Sequence, residues 1–198
     1  YAAGLGSGSS DAAATLRLLT RLWDVGASLE ALREIGATIG ADVPFFLQDA
    51  PAARATGRGD TLSTLSNDGG SYRLPFPLLL AVPSVAVSTP WAYTQVTPAA
   101  TDRPDLQRVV CSNDLRRWRE ALANDFEPPV MAAKPSVSAV RAALQDTDAA
   151  YVSLSGSGSA VYGLFREPAA AQAAQDALRD SDTVDVQSHL MPAARPQQ

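Results

Sequence analysis

The chain has 198 residues, of which 46% are hydrophobic and 19% charged, and a formal net charge of −5. That supplies apolar residues for one large domain or two small ones, and the acidic balance argues against a nucleic-acid partner, which usually meets a basic patch. A single cysteine, Cys111, excludes an internal disulfide and a single histidine, His189, leaves no His/Cys cluster for zinc; no apolar run approaches the ~18 residues of a membrane helix, so a cytoplasmic setting is the simplest reading.

The chain opens on Tyr1-Ala2-Ala3-Gly4-Leu5-Gly6-Ser7-Gly8-Ser9-Ser10-Asp11, with three glycines and three serines between Gly4 and Ser10. Glycine lets backbone approach a ligand closely. Ser9 or Ser10 is expected to cap a helix beginning near Asp11, and the free N–H groups of a helix start favour phosphate. The serine hydroxyls can add hydrogen bonds to phosphate or hold a water on Mg²⁺. A flexible linker is the plain alternative, but linkers do not normally run straight into a capped helix. No Lys-Ser or Lys-Thr follows the glycines, so this is not a Walker A loop. Ser9 stands where a dinucleotide fold needs its third glycine.

Ala12, Leu16, Leu19, Leu22 and Trp23 predict one buried helical face, with Arg17, Arg21 and Asp24 toward water and Gly26 as terminator. Ser28 is expected to cap a second helix with Leu29, Leu32 and Ile35 inward. Asp42 follows in Gly40-Ala41-Asp42-Val43-Pro44-Phe45-Phe46-Leu47. Asp two residues before Pro suits a helix N-cap. The same carboxylate, among apolar neighbours, can accept or orient the proton of a substrate hydroxyl. Both readings stay open on local sequence.

Residues 52–65 read as two strands joined at Gly57-Arg58-Gly59-Asp60, and 66–71 as a loop. Leu78–Val82 reads as a buried strand ended by Pro83, followed by extended Val85–Val87. Thr89 before Pro90 suits a helix start. Residues 105–123 read as helix, broken near Ser112. Asn124-Asp125-Phe126-Glu127 precedes Pro128 and Pro129, where capping and packing are the expected roles. Val137, Val140, Ala143 and Leu144 mark another helix. Strands are expected at 150–154 and 160–165, joined by Ser155-Gly156-Ser157-Gly158-Ser159, a turn whose N–H groups can hold an anion. A helix over 169–178, a strand over 184–188 and a frayed tail from Pro192 complete the pattern. His189 carries no expected role.

Gly4–Ala13 resembles the second motif of the GHMP kinases, and Leu154–Ser159 their third, with Leu154 where many relatives have Met. Gly-Ala-Asp-Val-Pro-Phe-Phe resembles the branch of that family that acts on 4-diphosphocytidyl-2-C-methyl-D-erythritol. The resemblance runs through most of the chain with its motifs in the family's order. It implies an α+β, GHMP kinase-like two-domain fold. Residues 1–77 would be the C-terminal part of an N-terminal ATP-binding domain (ribosomal protein S5 domain 2-like). Residues 78–198 would form a ferredoxin-like C-terminal domain, with the ligand between the two. The implied reaction is ATP-dependent phosphorylation of a hydroxyl of that substrate in the non-mevalonate isoprenoid (terpenoid) pathway. ATP and Mg²⁺ would be the cofactors, and the small diphosphocytidyl substrate the only partner, without nucleic acid or membrane.

By the same resemblance Asp42 would be catalytic. Tyr1, Ala2, Ala3, Gly4, Leu5, Gly6, Ser7, Gly8, Ser9 and Ser10 would bind ATP with Gly156, Ser157 and Gly158. Thr89 and Tyr93 would contact the cytidine base, Tyr93 by stacking. Relatives carry an earlier Pro-Ala-Lys-Ile-Asn-like segment whose lysine partners the aspartate; Lys134, the sole lysine here, does not match it. The N-terminal domain is therefore expected to be incomplete and turnover impaired. The alternative expectation is a fragment, or a non-catalytic nucleotide-binding module that has lost the lysine segment. An upstream reading frame encoding that segment would favour the kinase.

Overall fold

A computed structural model describes residues 3–67, 70–97, 103–180 and 185–194. The chain divides into two units, Gly6–Arg73 on the one hand and Tyr1–Leu5 with Leu74–Gln198 on the other.

In the Gly6–Arg73 unit, helix α1 spans Ser7–Leu22, α2 Leu29–Ile39 and α3 Val43–Leu47. The first helix begins earlier than its serines suggest. Its N-cap is Gly6, at φ 64°, and no serine side chain caps it. A left-handed residue turns the chain into the helix at a position only glycine adopts cheaply. Ser28 caps α2 as expected, its hydroxyl accepting from Ala31 N–H at 3.2 Å. The core is small: Ala13, Leu32, Val43 and Leu47, with Ala12, Leu16, Ala27 and Phe46 against it. The expected inward faces are therefore only partly inward. Leu22 and Trp23 are 75% and 65% exposed, and Leu29 and Ile35 are exposed as well. Gly36 takes the buried place on α2, because a Cβ there would come within 2.9 Å of Val43 and Leu47. Strands β1 (Ala53–Thr56) and β2 (Thr61–Thr64) form the expected hairpin over Gly57–Asp60. Ser66–Asn67 (β3) and Gly70–Ser71 (β4) pair antiparallel where a loop was expected.

In the other unit a four-stranded antiparallel sheet runs in the order β6-β7-β5-β8. The strands are β5 (Leu78–Pro83), β6 (Tyr151–Leu154), β7 (Val161–Leu164) and β8 (Val186–Met191). With helices after the first and third strands this is the β-α-β-β-α-β ferredoxin-like arrangement. The apolar run of β5 is explained by its place between β7 and β8, and Pro83 falls at its last residue, where a missing N–H costs least. Helix α4 spans Thr89–Thr94 and is capped by Ser88 rather than Thr89. Helices α5 (Leu106–Cys111) and α6 (Leu115–Ala121) confirm the break at Ser112. They follow with α7 (Glu127–Ala133), α8 (Pro135–Gln145) and α9 (Pro168–Arg179). The main core gathers Leu79, Ala81, Val137, Val140, Leu144 and Phe165 with the alanine face of α9. A second cluster joins Val109, Leu115 and Trp118 to Tyr151 and Leu164. His189 lies within β8, opposite Leu80, since that strand runs past its expected end.

Candidate active site

Within the Gly6–Arg73 unit, the start of α1 and the segment around Asp42 are neighbours. A Cβ on Gly6 would meet the Phe46 ring at 3.0 Å, and one on Gly40 would lie 3.9 Å from Ser9 Oγ. The first helical turn is closed by Ser10 N–H donating to Gly6 C=O at 2.9 Å. The N–H groups of Ser7, Gly8 and Ser9 thus precede the helical ladder, and helix starts leave such groups free for anions. Gly8 is exposed with nothing within 4 Å of where its Cβ would be. That open space over unladdered N–H groups fits a phosphate.

Asp42 occupies the N-cap position of α3, yet its side chain makes no capping bond. Its backbone is already helical (φ −85°, ψ −13°), whereas a capping side chain needs extended backbone to reach back to the first turn. The expectation of apolar surroundings also fails: Val43 and Pro44 are buried beside it, but Asp42 itself is exposed. One neighbour of its carboxylate was not foreseen. The β1–β2 turn brings Gly59, at φ 96°, so close that a Cβ there would sit 3.8 Å from Asp42 Oδ1. In that turn Asp60 accepts from Arg58 N–H at 3.3 Å. Its carboxyl is held below its ordinary value, first by its own backbone N–H and then by Arg58.

In the other unit, Ala3 and Gly4 pack on the Ser155–Ser159 loop. Ser155 Oγ donates to Gly4 C=O at 2.8 Å, and Ala160 N–H donates to Ala3 C=O at 3.0 Å. A Cβ on Gly4 (φ 72°) would fall 2.0 Å from Ser155 O, so this approach requires glycine. Leu5 is exposed. Gly156 and Gly158 both have positive φ, at 53° and 82°, and Ser157 is buried, its Oγ 3.2 Å from Thr89 Oγ1. Tyr93 stays 63% exposed while one side of its ring packs on Phe126 with centroids 5.0 Å apart; this leaves aromatic surface for stacking. A cavity of about 370 Å³ beside the loop is lined by Ala3, Val82–Ala86, Ser159 and Gln187. Tyr1 and Ala2 lie outside the described residues.

Residues 1–50 match the family model for the GHMP kinases N terminal domain, and residues 103–182 match that for GHMP kinases C terminal. The curated 4-diphosphocytidyl-2-C-methyl-D-erythritol kinase of Salinibacter ruber (strain DSM 13855 / M31) is 71% identical over 193 residues, which are 98% of this chain and 67% of that protein. The chain belongs to the GHMP kinase family. The enzyme of the same name from Chlorobium limicola (strain DSM 245 / NBRC 103803 / 6330) is 44% identical, over 83% of this chain and 57% of the relative. A crystal structure of 4-(cytidine 5'-diphospho)-2C-methyl-D-erythritol kinase is 32% identical with a TM-score of 0.74, covering 98% of this chain and 68% of that one. A homoserine kinase from Cytophaga hutchinsonii shares the fold at 20% identity and TM-score 0.67. The chain thus spans about two thirds or less of the length of these relatives. Asn124 and Glu127 do more than the capping and packing expected of them: Asn124 donates to Leu154 C=O and Gly156 C=O, and Glu127 accepts from Leu154 N–H, where the Ser155–Ser159 loop leaves β6. The sequence singled them out within Asn124-Asp125-Phe126-Glu127 before two prolines, and capping and packing were the expected roles.

Proposed function

We propose that this chain carries phosphoryl-transfer machinery of a 4-diphosphocytidyl-2-C-methyl-D-erythritol kinase. The γ-phosphoryl of ATP passes to a hydroxyl of that substrate, in the non-mevalonate isoprenoid pathway and in the cytoplasm. The N–H groups at the start of α1, with the Gly4–Ser10 backbone, hold nucleotide phosphates, and the second loop, Gly156, Ser157 and Gly158, adds N–H groups at Gly156 and Ser157, that of Gly158 already donating to Ser155 C=O. Asp42 accepts the proton of the substrate hydroxyl, or holds that hydroxyl in line, as its oxygen bonds to the γ-phosphorus and ADP leaves. Thr89 and Tyr93 meet the cytidine end, Tyr93 with its open ring surface. Serine hydroxyls and phosphate oxygens are the hard donors that suit Mg²⁺, which neutralises phosphate charge when bound. No helix among the described residues is long and apolar enough to cross a membrane.

The observation that carries this reading is the state of Asp42. A carboxylate at an N-cap position with no capping bond, exposed and without an ion-pair partner among the described residues, is spared from structural duty. The test is ATP consumption with Mg²⁺, with and without the diphosphocytidyl substrate. Substrate-dependent turnover is expected to fall by about 10²–10⁴-fold in Asp42→Asn, with ATP affinity retained. Near-normal turnover in that variant would remove Asp42 from the chemistry. ATP binding by the wild-type chain without substrate-dependent turnover would leave a nucleotide-binding module.

A further inference from the structure

We propose that Asn124 and Glu127 are positioning residues that set the Ser155–Ser159 loop, and through it the N–H groups offered to nucleotide phosphate. The second clause rests on the reading of that loop given above; the first does not.

The Asn124 amide spans two segments. Its Nδ2 donates to Leu154 C=O at 2.9 Å and to Gly156 C=O at 2.8 Å, while its Oδ1 accepts from Phe126 N–H at 3.0 Å. Glu127 Oε1 accepts from Leu154 N–H at 2.7 Å. Both backbone groups of Leu154 are therefore held by side chains of one short turn. The sheet order explains why. Among the described residues strand β6 is at the edge, paired only with β7, so alternate residues of β6 present N–H and C=O with no described strand to receive them. Asn124 and Glu127 take the place of that strand at the last residue of β6. Asn124 holds Gly156 C=O as well, one residue past the start of the loop.

The remaining contacts complete the hold. Ser155 N–H donates to Ala160 C=O at 2.8 Å and Gly158 N–H to Ser155 C=O at 2.9 Å, closing the turn. Glu127 is itself fixed by Arg141, Nε to Oε1 3.5 Å, with both side chains largely withdrawn from water. A capping role accounts for one of the three Asn124 bonds, the one within its own turn. An aspartate would make that bond equally well. Only the amide donor explains the carbonyls of Leu154 and Gly156, and a loop pinned at its start and at Gly156 keeps its N–H groups in a preset direction, the condition for electrostatic binding without reorganisation.

Asn124→Asp separates these roles. It keeps the acceptor for Phe126 N–H and turns a carboxylate oxygen on two carbonyl oxygens. Amide hydrogen exchange is expected to speed up at 154–158, and ATP affinity to fall roughly tenfold, with exchange in β5 and β8 little changed. Glu127→Gln keeps an acceptor for Leu154 N–H and is expected to lose less affinity than Glu127→Leu. Unchanged exchange at 154–158 in Asn124→Asp would overturn the proposal whatever ATP does. Faster exchange with unchanged ATP affinity would overturn the positioning role. The wild-type chain tells the two failures apart. ATP should slow exchange at 155–159 if that loop holds phosphate, and absence of such protection would indict the loop's role and not the hold upon it.

Discussion

Two glycine-serine runs of similar composition reach order by different means. At Gly6–Ser10 the conformation comes from local backbone: a left-handed Gly6 starts α1, and Ser10 N–H closes the first turn. At Ser155–Ser159 it comes from a distance, through Asn124, Glu127, Thr89 and the Gly4 carbonyl. A helix organises its own first turn once nucleated, and its N–H groups point along the axis without further help. A loop leaving an edge strand has no such ladder and depends on side chains brought by the fold. The packing beneath the two runs differs in the same sense. The core cluster of the Gly6–Arg73 unit holds four buried apolar residues and leaves Leu18, Leu22, Trp23 and Ile39 more than half exposed. The sheet unit buries Leu79, Leu144, Val161 and Phe165 almost completely.

The largest effect that would sharpen this contrast lies in the cores. Phe165→Ala should destabilise the sheet unit by about 3–5 kcal/mol, and Leu47→Ala the smaller unit by about 2–3, at the low end for a large-to-small change because a sparse core collapses more readily. Chemical denaturation followed by the exchange of amides in each unit measures both; equal losses would show that the two cores are packed alike.

Next in size is Gly4→Ala. Its Cβ would stand 2.0 Å from Ser155 O at a left-handed φ, and the conformational part alone costs about 1–2 kcal/mol. A melting temperature equal to wild type would mean that the Ala3–Gly4 contact does not order the second loop.

Alkaline pH gives a third measure. Burial pushes the Tyr162 hydroxyl above its ordinary value of 10.0, and that of Tyr151 likewise. The raised value means that the folded state holds these protons longer than the unfolded chain. The stability they contribute is full below pH 10.0 and is lost as pH rises from there through the folded values. Tyr162→Phe should move the onset of alkaline unfolding of the sheet unit to higher pH, and an onset that stays in place would exclude Tyr162 as its source.

The smallest effect runs the other way. Gly8→Ala meets open space in a helical turn and should stabilise the chain by about 0.5 kcal/mol, while it adds a methyl group to the first turn proposed for phosphate. Higher stability together with weaker ATP binding is the expected pair. Unchanged ATP affinity would break the assignment of the open first turn of α1.

Most elements were legible in the sequence because they are set by local rules. Proline and capping residues placed α2 and α4 to within a residue or two, apolar spacing placed α8 and α9, and Gly57–Asp60 placed the first hairpin. The misreadings arose where distant chain decides. Periodicity assigned Leu22 and Trp23 to a core, but periodicity says which residues share a face and not what covers it. At Asp42 local sequence left a cap and a proton acceptor both open, and the helical backbone there withdraws it from capping. The amino-acid sequence by itself determined the family, the glycine runs and the residue types of the candidate site, since these reside in short motifs. Only the tertiary structure decided that Gly59 faces Asp42, that Gly4 touches Ser155, and that an asparagine read as a cap reaches the carbonyls of Leu154 and Gly156. Such pairings depend on which strand ends at the edge of the sheet, and no local spacing encodes that.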